Sequence, residues 1–599
     1  MSERTVTERI EVWAPEASGV DLIANEKRYP MEPTDRGYWH AGVAADLSQT
    51  LYAFSIDGGD PRPDPRSERQ PDGVHGPSLR VRHDTFRWSD TGFQQVPLSR
   101  ALIYELHPGT FTDEGTLEAA AGRLDHLVDL GVTHVELMPL AAASGSRGWG
   151  YDGVNLFAPH EAYGGPDGVK RFVDMAHGMG LAVLIDVVYN HLGPEGNYLH
   201  EFGPYFTERY RTPWGSAVNL DGPGSDEVRR FFIDNARMWL RDYHADGLRV
   251  DAVHAFYDKS ALNFLEELGS SVDRLEGELG RRLIVIAESD LNDPQVVRST
   301  EAGGYGLRAQ WSDDFHHAVH ALVTGERWGY YRDFGALGMV AYALERNYVF
   351  DGAYQSSRGC RHGRPAADLP PDRFLGYIQN HDQVGNRARG ERLSHIAGTE
   401  AQKVAAAVYL FSPFVPMLFQ GEEWAASTPF LYFTDHQDAD LGKAVREGRR
   451  REFSFQSSDV PDPQSPETAA ASVLRWDERE TSPHAGMLAW YRSLITLRRT
   501  WPELAAGRRD DMSVNFDEDA ATLWVHRGRL SLYCNFSQST RTFPGVGDDE
   551  NVGSAGTAGA AGAAGPVSIL VASRSDVELK PDGSLGLPGL SAAVLGPHG

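Results

Sequence analysis

The 599-residue sequence has little cysteine. Its two cysteines, Cys360 and Cys534, lie far apart along the chain. Small secreted domains depend on an even set of closely spaced cysteines, and structural zinc sites need Cys-x-x-Cys or Cys/His spacings. Neither pattern occurs, so the sequence supports neither a disulfide framework nor structural zinc.

Positive charge is also scarce. The chain has 57 Lys and Arg against 84 Asp and Glu, which gives a formal net charge of −27. A surface this acidic repels phosphate backbones and anionic lipids. Nucleic acid and membranes are therefore poor candidate partners, and we expect a neutral or cationic substrate.

Long apolar runs are missing. The most apolar stretch, VAAAVYLFSPFVPMLF (404–419), contains Pro413 and Pro416 and is too short to cross a bilayer. It predicts a buried helix followed by a buried strand. The first residues, MSERTVTERIEVW, show no apolar core of a signal peptide. We expect a cytoplasmic protein.

The length predicts two to four domains. Short β-like runs separated by Gly, Pro and Asp predict an immunoglobulin-like β-sandwich over residues 1–96. A similar pattern predicts a C-terminal all-β sandwich over 503–599, with a Gly/Ala-rich loop at 553–566. Between them, residues 97–502 alternate strand-like and helix-like segments, which is typical of a mostly parallel sheet.

This middle region contains eight strand-like segments, the number that a closed (β/α)8 TIM barrel requires. They are ALIYELHP (101–108), THVELMPL (133–140), AVLIDVV (182–188), GLRVDAV (247–253), LIVIAES (283–289), LRAQWSDD (307–314), FLGYIQNHD (374–382) and FVPMLFQGEE (414–423). Residues 117–131 predict one intervening helix, and AGMLAWYRSLITLRRT (485–500) predicts the last. The longer intervals 141–170, 191–225 and 328–373 predict insertions that shape a substrate cleft.

Three carboxylates stand at the ends of predicted strands. Asp251 ends GLRVD, Glu288 follows LIVIA, and Asp382 follows FLGYIQNH. β/α barrels place catalytic groups at the carboxyl ends of their strands. Three acids on different strands suit glycoside transfer, in which one attacks, one moves a proton and one stabilises charge. Taken alone, each acid is also compatible with a structural ion pair.

Other polar and aromatic residues accompany these acids. Arg249 lies two residues before Asp251, so strand alternation points both side chains to one face, where the guanidinium can orient the carboxylate. His191 and His381 follow strands and are candidates to bind sugar hydroxyls. Tyr151 and Trp214 lie in predicted insertions and could stack on a sugar ring.

Four motifs, DVVYNH (186–191), GLRVDAVH (247–254), AES (287–289) and QNHD (379–382), occur in the order found in the α-amylase superfamily of glycoside hydrolases. The chain resembles that superfamily over nearly its whole length. The resemblance implies that Asp251 is the nucleophile, Glu288 the general acid/base and Asp382 the transition-state stabiliser. The expected substrate-binding residues are Tyr151, Asp186, His191, Trp214, Arg249, His254, His381 and Gln383.

Within the superfamily, the chain looks most like the maltooligosyltrehalose trehalohydrolases, notably in QWSDDFHHAVH (310–320) and GEEWAASTPFLYFTDH (421–436). That resemblance implies retaining hydrolysis of the α-1,4 bond next to the terminal trehalose of maltooligosyl trehalose. It also implies a pathway shared with a maltooligosyltrehalose-forming enzyme. The alternatives are a glycogen branching enzyme and a non-catalytic carbohydrate-binding homologue.

The chain departs from common α-amylases on the leaving-group side. Those enzymes often carry Lys-His three and four residues after the nucleophile, where this chain has His254 and Ala255. A small residue at 255 fits a bent α,α-1,1 disaccharide. Many α-amylases also bind calcium through the residue matching Asn190. No acidic cluster here demands a metal, so we predict no metal and no cofactor. The N-terminal domain is expected to shape the cleft, with glucan binding as the alternative.

Overall fold

The computed structural model describes residues 8–453, 460–546 and 567–597. Its centre is a closed barrel of eight parallel strands. In chain order, the first to eighth barrel strands are Ile103–Leu106, His134–Leu137, Ala182–Val187, Gly247–Val250, Ile284–Ala287, Ala309–Trp311, Phe374–Gly376 and Val415–Phe419. All eight lie inside the segments predicted from sequence, which confirms the barrel.

The barrel strands are apolar because helices cover one face and side chains fill the other. All six residues of the third strand are buried. Parallel pairing sets Asp186 of the third strand beside Arg249 of the fourth, and Val250 of the fourth beside Ala287 of the fifth. The register therefore brings the residues that follow the fourth and fifth strands to the same level of the barrel mouth.

Helices surround the barrel. The α-helices are Pro108–Phe111, Leu117–Ala121, Leu124–Leu130, Gly165–Gly178, Leu199–Phe202, Ser225–Arg241, Phe264–Leu279, Asp313–Thr324, Leu337–Arg346, His381–Gly385, Leu393–Ala397, Thr399–Phe411, Ala439–Glu452, Pro466–Ala471 and His484–Thr500. The predicted single helix over 117–131 is wrong, because Arg123 is non-helical (φ −115°, ψ 2°) after Gly122, a poor helix former.

The apolar stretch 404–419 forms the end of helix Thr399–Phe411 and the eighth barrel strand, as predicted. Among the residues in the three described ranges, no helix combines the length and apolar character needed to span a bilayer.

Sheet-rich regions flank the barrel. The N-terminal strands Glu8–Trp13, Val20–Ala24, Lys27–Pro30, Glu32–Pro33, Tyr38–Val43 and Tyr52–Ile56 form two three-stranded antiparallel sheets. The C-terminal strands Met512–Asp517, Thr522–Arg527, Leu530–Asn535, Arg541–Phe543, Val567–Ala572, Glu578–Leu579, Leu585–Leu587 and Ser591–Pro597 form a five-stranded and a three-stranded sheet. The boundaries at 96 and 502 stay predictions, and the loop predicted at 553–566 lies outside the described residues.

The three predicted insertions carry small structures of their own. Each contains a two-stranded antiparallel sheet. The paired strands are Ala141–Ala142 with Asn155–Pro159, Phe206–Thr212 with Gly215–Val218, and Tyr354–Gln355 with Cys360–Arg361.

A buried arginine joins the C-terminal sheet to the barrel. Arg527 is 2% exposed, and its guanidinium donates to the carbonyls of Phe411 (2.9 Å), Ser412 (2.8 Å) and Ala505 (2.8 Å). The first two carbonyls lie at the end of helix Thr399–Phe411, where the helix dipole favours a positive charge. The guanidinium therefore caps a barrel helix from a strand of the next domain.

We predict that Arg527→Met lowers the midpoint of thermal unfolding, because the buried carbonyl of Phe411 loses its side-chain donor, which costs about 1–3 kcal/mol, while Ser412 keeps a hydrogen bond from Arg498. Arg574→Met is the matched control, since Arg574 forms an exposed pair with Asp576 at 2.9 Å and such pairs contribute about 0–1 kcal/mol. Thermal unfolding followed by tryptophan fluorescence compares the two. Equal midpoints for both variants would contradict the role of Arg527.

Candidate active site

Arg249 is the centre of the candidate site. It projects from the fourth barrel strand and is 0% exposed. Its Nη1 donates to both oxygens of Asp186 (2.8 and 2.7 Å) and to Oδ1 of Asp251 (2.9 Å). Its Nη2 lies 3.0 Å from Oε2 of Glu288. The guanidinium also lies 4.3 Å from the centre of the Trp311 ring. One cation thus contacts two of the predicted catalytic acids and fixes their orientation.

The turn after the fourth strand contributes a second anchor for Glu288. The main-chain N–H of Ala252 donates to Oε2 of Glu288 at 2.7 Å. Ala252 has φ 40° and ψ 52°, the left-handed region, which costs a non-glycine residue on the order of 1 kcal/mol or more. This strained residue turns its N–H toward the neighbouring strand end, so the backbone after the nucleophile candidate positions the acid/base candidate.

Asp382 and His381 follow the seventh strand. Asp382 is the more open of the two, with a side chain 40% exposed, and its Oδ1 accepts from Asn386 at 2.8 Å. His381 is buried. Its ring Nδ1 and its main-chain N–H both contact the carboxylate of Glu105 from the first strand. Burial lowers the pKa of His381, but the Glu105 charge outweighs this and raises it to about 9.

The three acids influence each other's protonation. Burial and the charges of Glu288 and Asp186 raise the pKa of Asp251, against the opposing effect of Arg249. Burial alone would raise the pKa of Glu288, but Arg249 and the Ala252 N–H lower it overall. Because these groups interact strongly, their titration steps belong to the cluster. The two directions are the reverse of a protonated acid/base and an ionised nucleophile, which acid-assisted glycoside cleavage requires.

Tyr151 lies over the same cluster. Its hydroxyl donates to Asp186 at 2.6 Å, and its ring stacks on His381 with centroids 5.0 Å apart. Its neighbour Trp149 donates from Nε1 to the carbonyl of Leu431 at 2.9 Å and stacks on Phe430. The 421–436 segment therefore supports the loop that carries Tyr151.

The first acids of that segment do not face the site. Glu422 accepts from the hydroxyls of Tyr409 and Tyr491, and Glu423 accepts from Tyr104. Both glutamates are fully buried. These buried hydrogen bonds anchor the start of the 421–436 segment.

His191 and Trp214 form a second aromatic wall. Their rings stack 4.6 Å apart at an angle of 6°, and Trp214 is 48% exposed. Burial lowers the pKa of His191 to about 4, so the ring is neutral near pH 7. Its Nε2 faces the carbonyl of Tyr151 at 3.1 Å, and its Nδ1 faces Oδ1 of Asn190 at 3.0 Å. A neutral imidazole beside an exposed indole suits contact with an uncharged sugar.

His254 and Gln383 lie at the rim. The Nδ1 of His254 is 3.8 Å from Oδ1 of Asp290, which is in turn paired with Arg358 at 2.8 Å. The Oε1 of Gln383 accepts from the hydroxyl of Tyr331 at 3.2 Å. Beside this rim is a cavity of about 380 Å³, which is lined by Asp290, Asp313, His317, Tyr330 and Arg358 among others.

The surroundings of Asn190 do not fit a calcium ion. Its Oδ1 faces His191, and calcium sites need six to eight oxygen ligands, usually with carboxylates. Among the described residues, no group of three or more His, Cys, Asp or Glu side chains is placed to hold a metal.

Comparison with known proteins identifies the family. The family described as Alpha amylase, catalytic domain, matches residues 82–213. Malto-oligosyltrehalose trehalohydrolases from Rhizobium sp. (strain M-11) and Arthrobacter ramosus are 51% and 52% identical, over 88% of this chain and 91% and 92% of theirs. The chain belongs to the malto-oligosyltrehalose trehalohydrolase family. It is thus a glycoside hydrolase of the α-amylase type, as the sequence motifs indicated.

A solved structure agrees with this family assignment. An alpha amylase from Salmonella typhimurium superposes with a TM-score of 0.87 at 37% identity, and the match covers 100% of both chains. A 1,4-alpha-glucan branching enzyme from Pseudoalteromonas atlantica is 26% identical over 66% of its length. The trehalohydrolases are the nearer of the two groups considered from sequence.

Sequence reasoning missed several residues of this trehalohydrolase-family site. Glu105 lies within the first strand rather than at its end, and Trp311 was read only as part of a strand. Asp313 is also part of the site, and burial together with the Glu288 charge raises its pKa to about 8. The sequence signal for Glu105 is a polar residue inside the apolar run IYEL.

We predict that Arg249→Lys lowers kcat/KM at least about 100-fold, because a single ammonium cannot replace a guanidinium that contacts three carboxylates. The overall charge is unchanged, so the loss reports on geometry. Arg298→Lys is the control, since its guanidinium pairs with Asp368, whose side chain is 60% exposed. A loss of kcat/KM of less than tenfold in Arg249→Lys would show that the several fixed donors of the guanidinium are not needed.

Proposed function

We propose that the chain hydrolyses the α-1,4 bond next to the terminal trehalose of maltooligosyl trehalose and releases trehalose with retention of configuration. The observation that carries the proposal is Arg249, which holds Asp251 and Glu288 on neighbouring strands. The printed activity of relatives about 50% identical supports the substrate.

In the first step Asp251 attacks the anomeric carbon of the glucan unit. The C1–O bond to trehalose breaks as the C1–Oδ bond forms, and Glu288 gives its proton to the departing trehalose oxygen. In the second step Glu288 takes a proton from water, and that water displaces Asp251 from C1. Arg249 keeps the nucleophile oriented in both steps, while Asp382 and His381 stabilise charge on the sugar ring.

The neighbouring residues suit the remaining needs of this reaction. Tyr151, His191 and Trp214 offer apolar faces and neutral donors to the glucan ring, since sugar C–H faces stack on aromatic rings. His254, with Asp290 behind it, lies on the acid/base side of the site, where the leaving group departs. We assign Gln383 to the rim and a cleft-shaping role to the N-terminal residues 1–96.

The substrate itself must come from another reaction. Maltooligosyl trehalose carries a 1,1-linked reducing end, so an enzyme that isomerises the last linkage of a maltooligosaccharide has to supply it. We therefore propose that the chain acts with a maltooligosyltrehalose-forming enzyme.

We predict that the protein releases trehalose from maltooligosyl trehalose far faster than it releases any sugar from a maltooligosaccharide of equal length. Products are separated by chromatography, and the newly formed reducing end is observed by NMR, where retention gives the α-anomer first. Asp251→Asn and Glu288→Gln should each remove this activity. Formation of α-1,6 branches from long amylose would instead favour a branching enzyme.

We predict that the leaving-group side controls product choice. His254→Ala should lower the ratio of trehalose to glucose and maltose, because it removes a polar side chain next to the acid/base. Ala255→Ser should act in the same direction by adding bulk at a buried position. His75→Ala is the control, since the His75 side chain is 55% exposed and contacts Tyr198. Unchanged product ratios in both test variants would show that positions 254 and 255 do not control product choice.

A further inference from the structure

Two glutamates lie side by side inside the barrel. Glu105 of the first strand pairs in register with Glu136 of the second, and each is 1% exposed. Paired residues of parallel strands project from the same face, so both carboxyls enter the barrel interior below the catalytic acids. Burial of two neighbouring carboxyl groups in a dry interior disfavours ionisation of both unless a cation lies beside them.

Their surroundings differ sharply. Glu105 receives the main-chain N–H of His381 on Oε2 at 3.0 Å, and its Oε1 contacts the ring Nδ1 of the same residue. Glu136 is buried, and neither of its carboxyl oxygens accepts a hydrogen bond from any residue in the described part of the chain. Glu105 thus contacts the His381 ring directly, whereas Glu136 forms no side-chain hydrogen bond with the described residues.

The contact between Glu105 and His381 spans the place where the first and eighth strands pair and close the barrel. The first strand is separated from the seventh by the eighth, and His381 begins the short helix after the seventh strand. Glu105 therefore contacts both the main-chain N–H and the ring of His381, which follows a strand two positions away in the barrel. The other ring nitrogen of His381, Nε2, lies 3.7 Å from Oδ1 of Asp382, on the side of the open cleft.

We propose that Glu105 is a positioning residue. It holds the His381 ring as an imidazolium whose Nε2–H is directed at Asp382 and at the sugar bound beside it. In this arrangement a cationic donor meets a sugar hydroxyl during ring distortion, and its hydrogen bond is stronger than that of a neutral imidazole. The inference rests on the proposed function of the site.

The charged groups around His381 agree with this arrangement. Those that act on the ring or respond to it come from the first to fifth and seventh strands: Glu105, His107, Glu136, Asp186, Arg249, Glu288 and Asp382. Burial and Arg249 lower the pKa of His381, and Glu105 provides the largest opposing effect, which brings it to about 9. Burial and the Glu105 charge raise the pKa of Glu136 well above its usual range, so this neighbour is a neutral acid.

The pair supplies its own matched control. Glu105→Gln and Glu136→Gln make the same isosteric change at neighbouring, equally buried positions. Glutamine resembles the neutral form of a carboxyl group, so it alters the charge at position 105 and leaves it unchanged at position 136.

The experiment measures kcat and KM from pH 5 to pH 9 for the wild type and both variants, on whichever α-1,4-glucan substrate the wild type hydrolyses. Without Glu105, His381 loses its proton at a lower pH. The wild-type to Glu105→Gln ratio of kcat should therefore rise with pH and reach about 100 at pH 8, the usual loss for one positioned donor. KM should change little. The ratio for Glu136→Gln should stay near one at every pH.

The ratio cancels titrations that the proteins share, so its slope reports on His381. A pH-independent ratio for Glu105→Gln, or equal losses in both variants, would overturn the proposal. In a His381→Asn background, Glu105→Gln should cause no further loss of kcat, and an additive loss would also overturn it. Where Glu105→Gln fails to fold, Glu105→Asp keeps the charge and should give a smaller, pH-independent loss, whereas a ratio that rises with pH would contradict the proposal.

This test is separate from the test of the proposed function. A wild type that cleaves plain maltooligosaccharide and ignores the trehalose terminus would refute the proposed substrate. The Glu105 comparison would still be made on the maltooligosaccharide, because it concerns the reacting ring rather than the leaving group.

Discussion

The site depends on one buried guanidinium. Arg249 has no solvent contact, so its charge is compensated entirely by protein groups. Breaking a buried ion pair by removing one partner costs several kcal/mol, since the remaining charge is left in a low dielectric. Asp186 on the third strand, Asp251 after the fourth and Glu288 after the fifth are therefore held in one arrangement. Three strand ends cannot move independently while they share this cation.

The same charges also influence the protonation of the carboxyl groups at the barrel mouth. Two cations, Arg249 and His381, lie among the carboxyl groups of Glu105, Asp186, Asp251, Glu288 and Asp382. Because acids outnumber cations in a dry interior, the cluster retains protons that isolated carboxyl groups would lose. A general acid needs such an environment, and an ionised nucleophile needs the guanidinium beside it. Arg249 lies between the two acids and contacts both.

Much of this was readable from sequence, for a specific physical reason. Strands buried on both faces are apolar runs, so the residue where a run stops marks the barrel mouth, and Asp251, Glu288 and Asp382 were found that way. Glu105 was missed because its role depends on contact with His381 across the closed barrel, which no local pattern encodes. Residues 117–131 were read as one helix because their apolar spacing continues through Gly122, while the backbone turns there.

The insertions were the hardest part to predict, and they are where substrate choice must be made. Their extent was predicted, but the stacking of Trp214 on His191 and the pairing of Asp290 with Arg358 depend on where each loop lies over the barrel. The 421–436 segment illustrates the difference. The sequence analysis used it only as a motif of resemblance, whereas the structure shows Glu422 and Glu423 buried against tyrosines and the segment supporting Trp149 and the loop of Tyr151. The residues proposed for bond cleavage therefore lie at strand ends in fixed register, whereas those proposed for sugar contact lie on loops whose shape comes from tertiary contacts, which is why the first group is readable from sequence and the second is not.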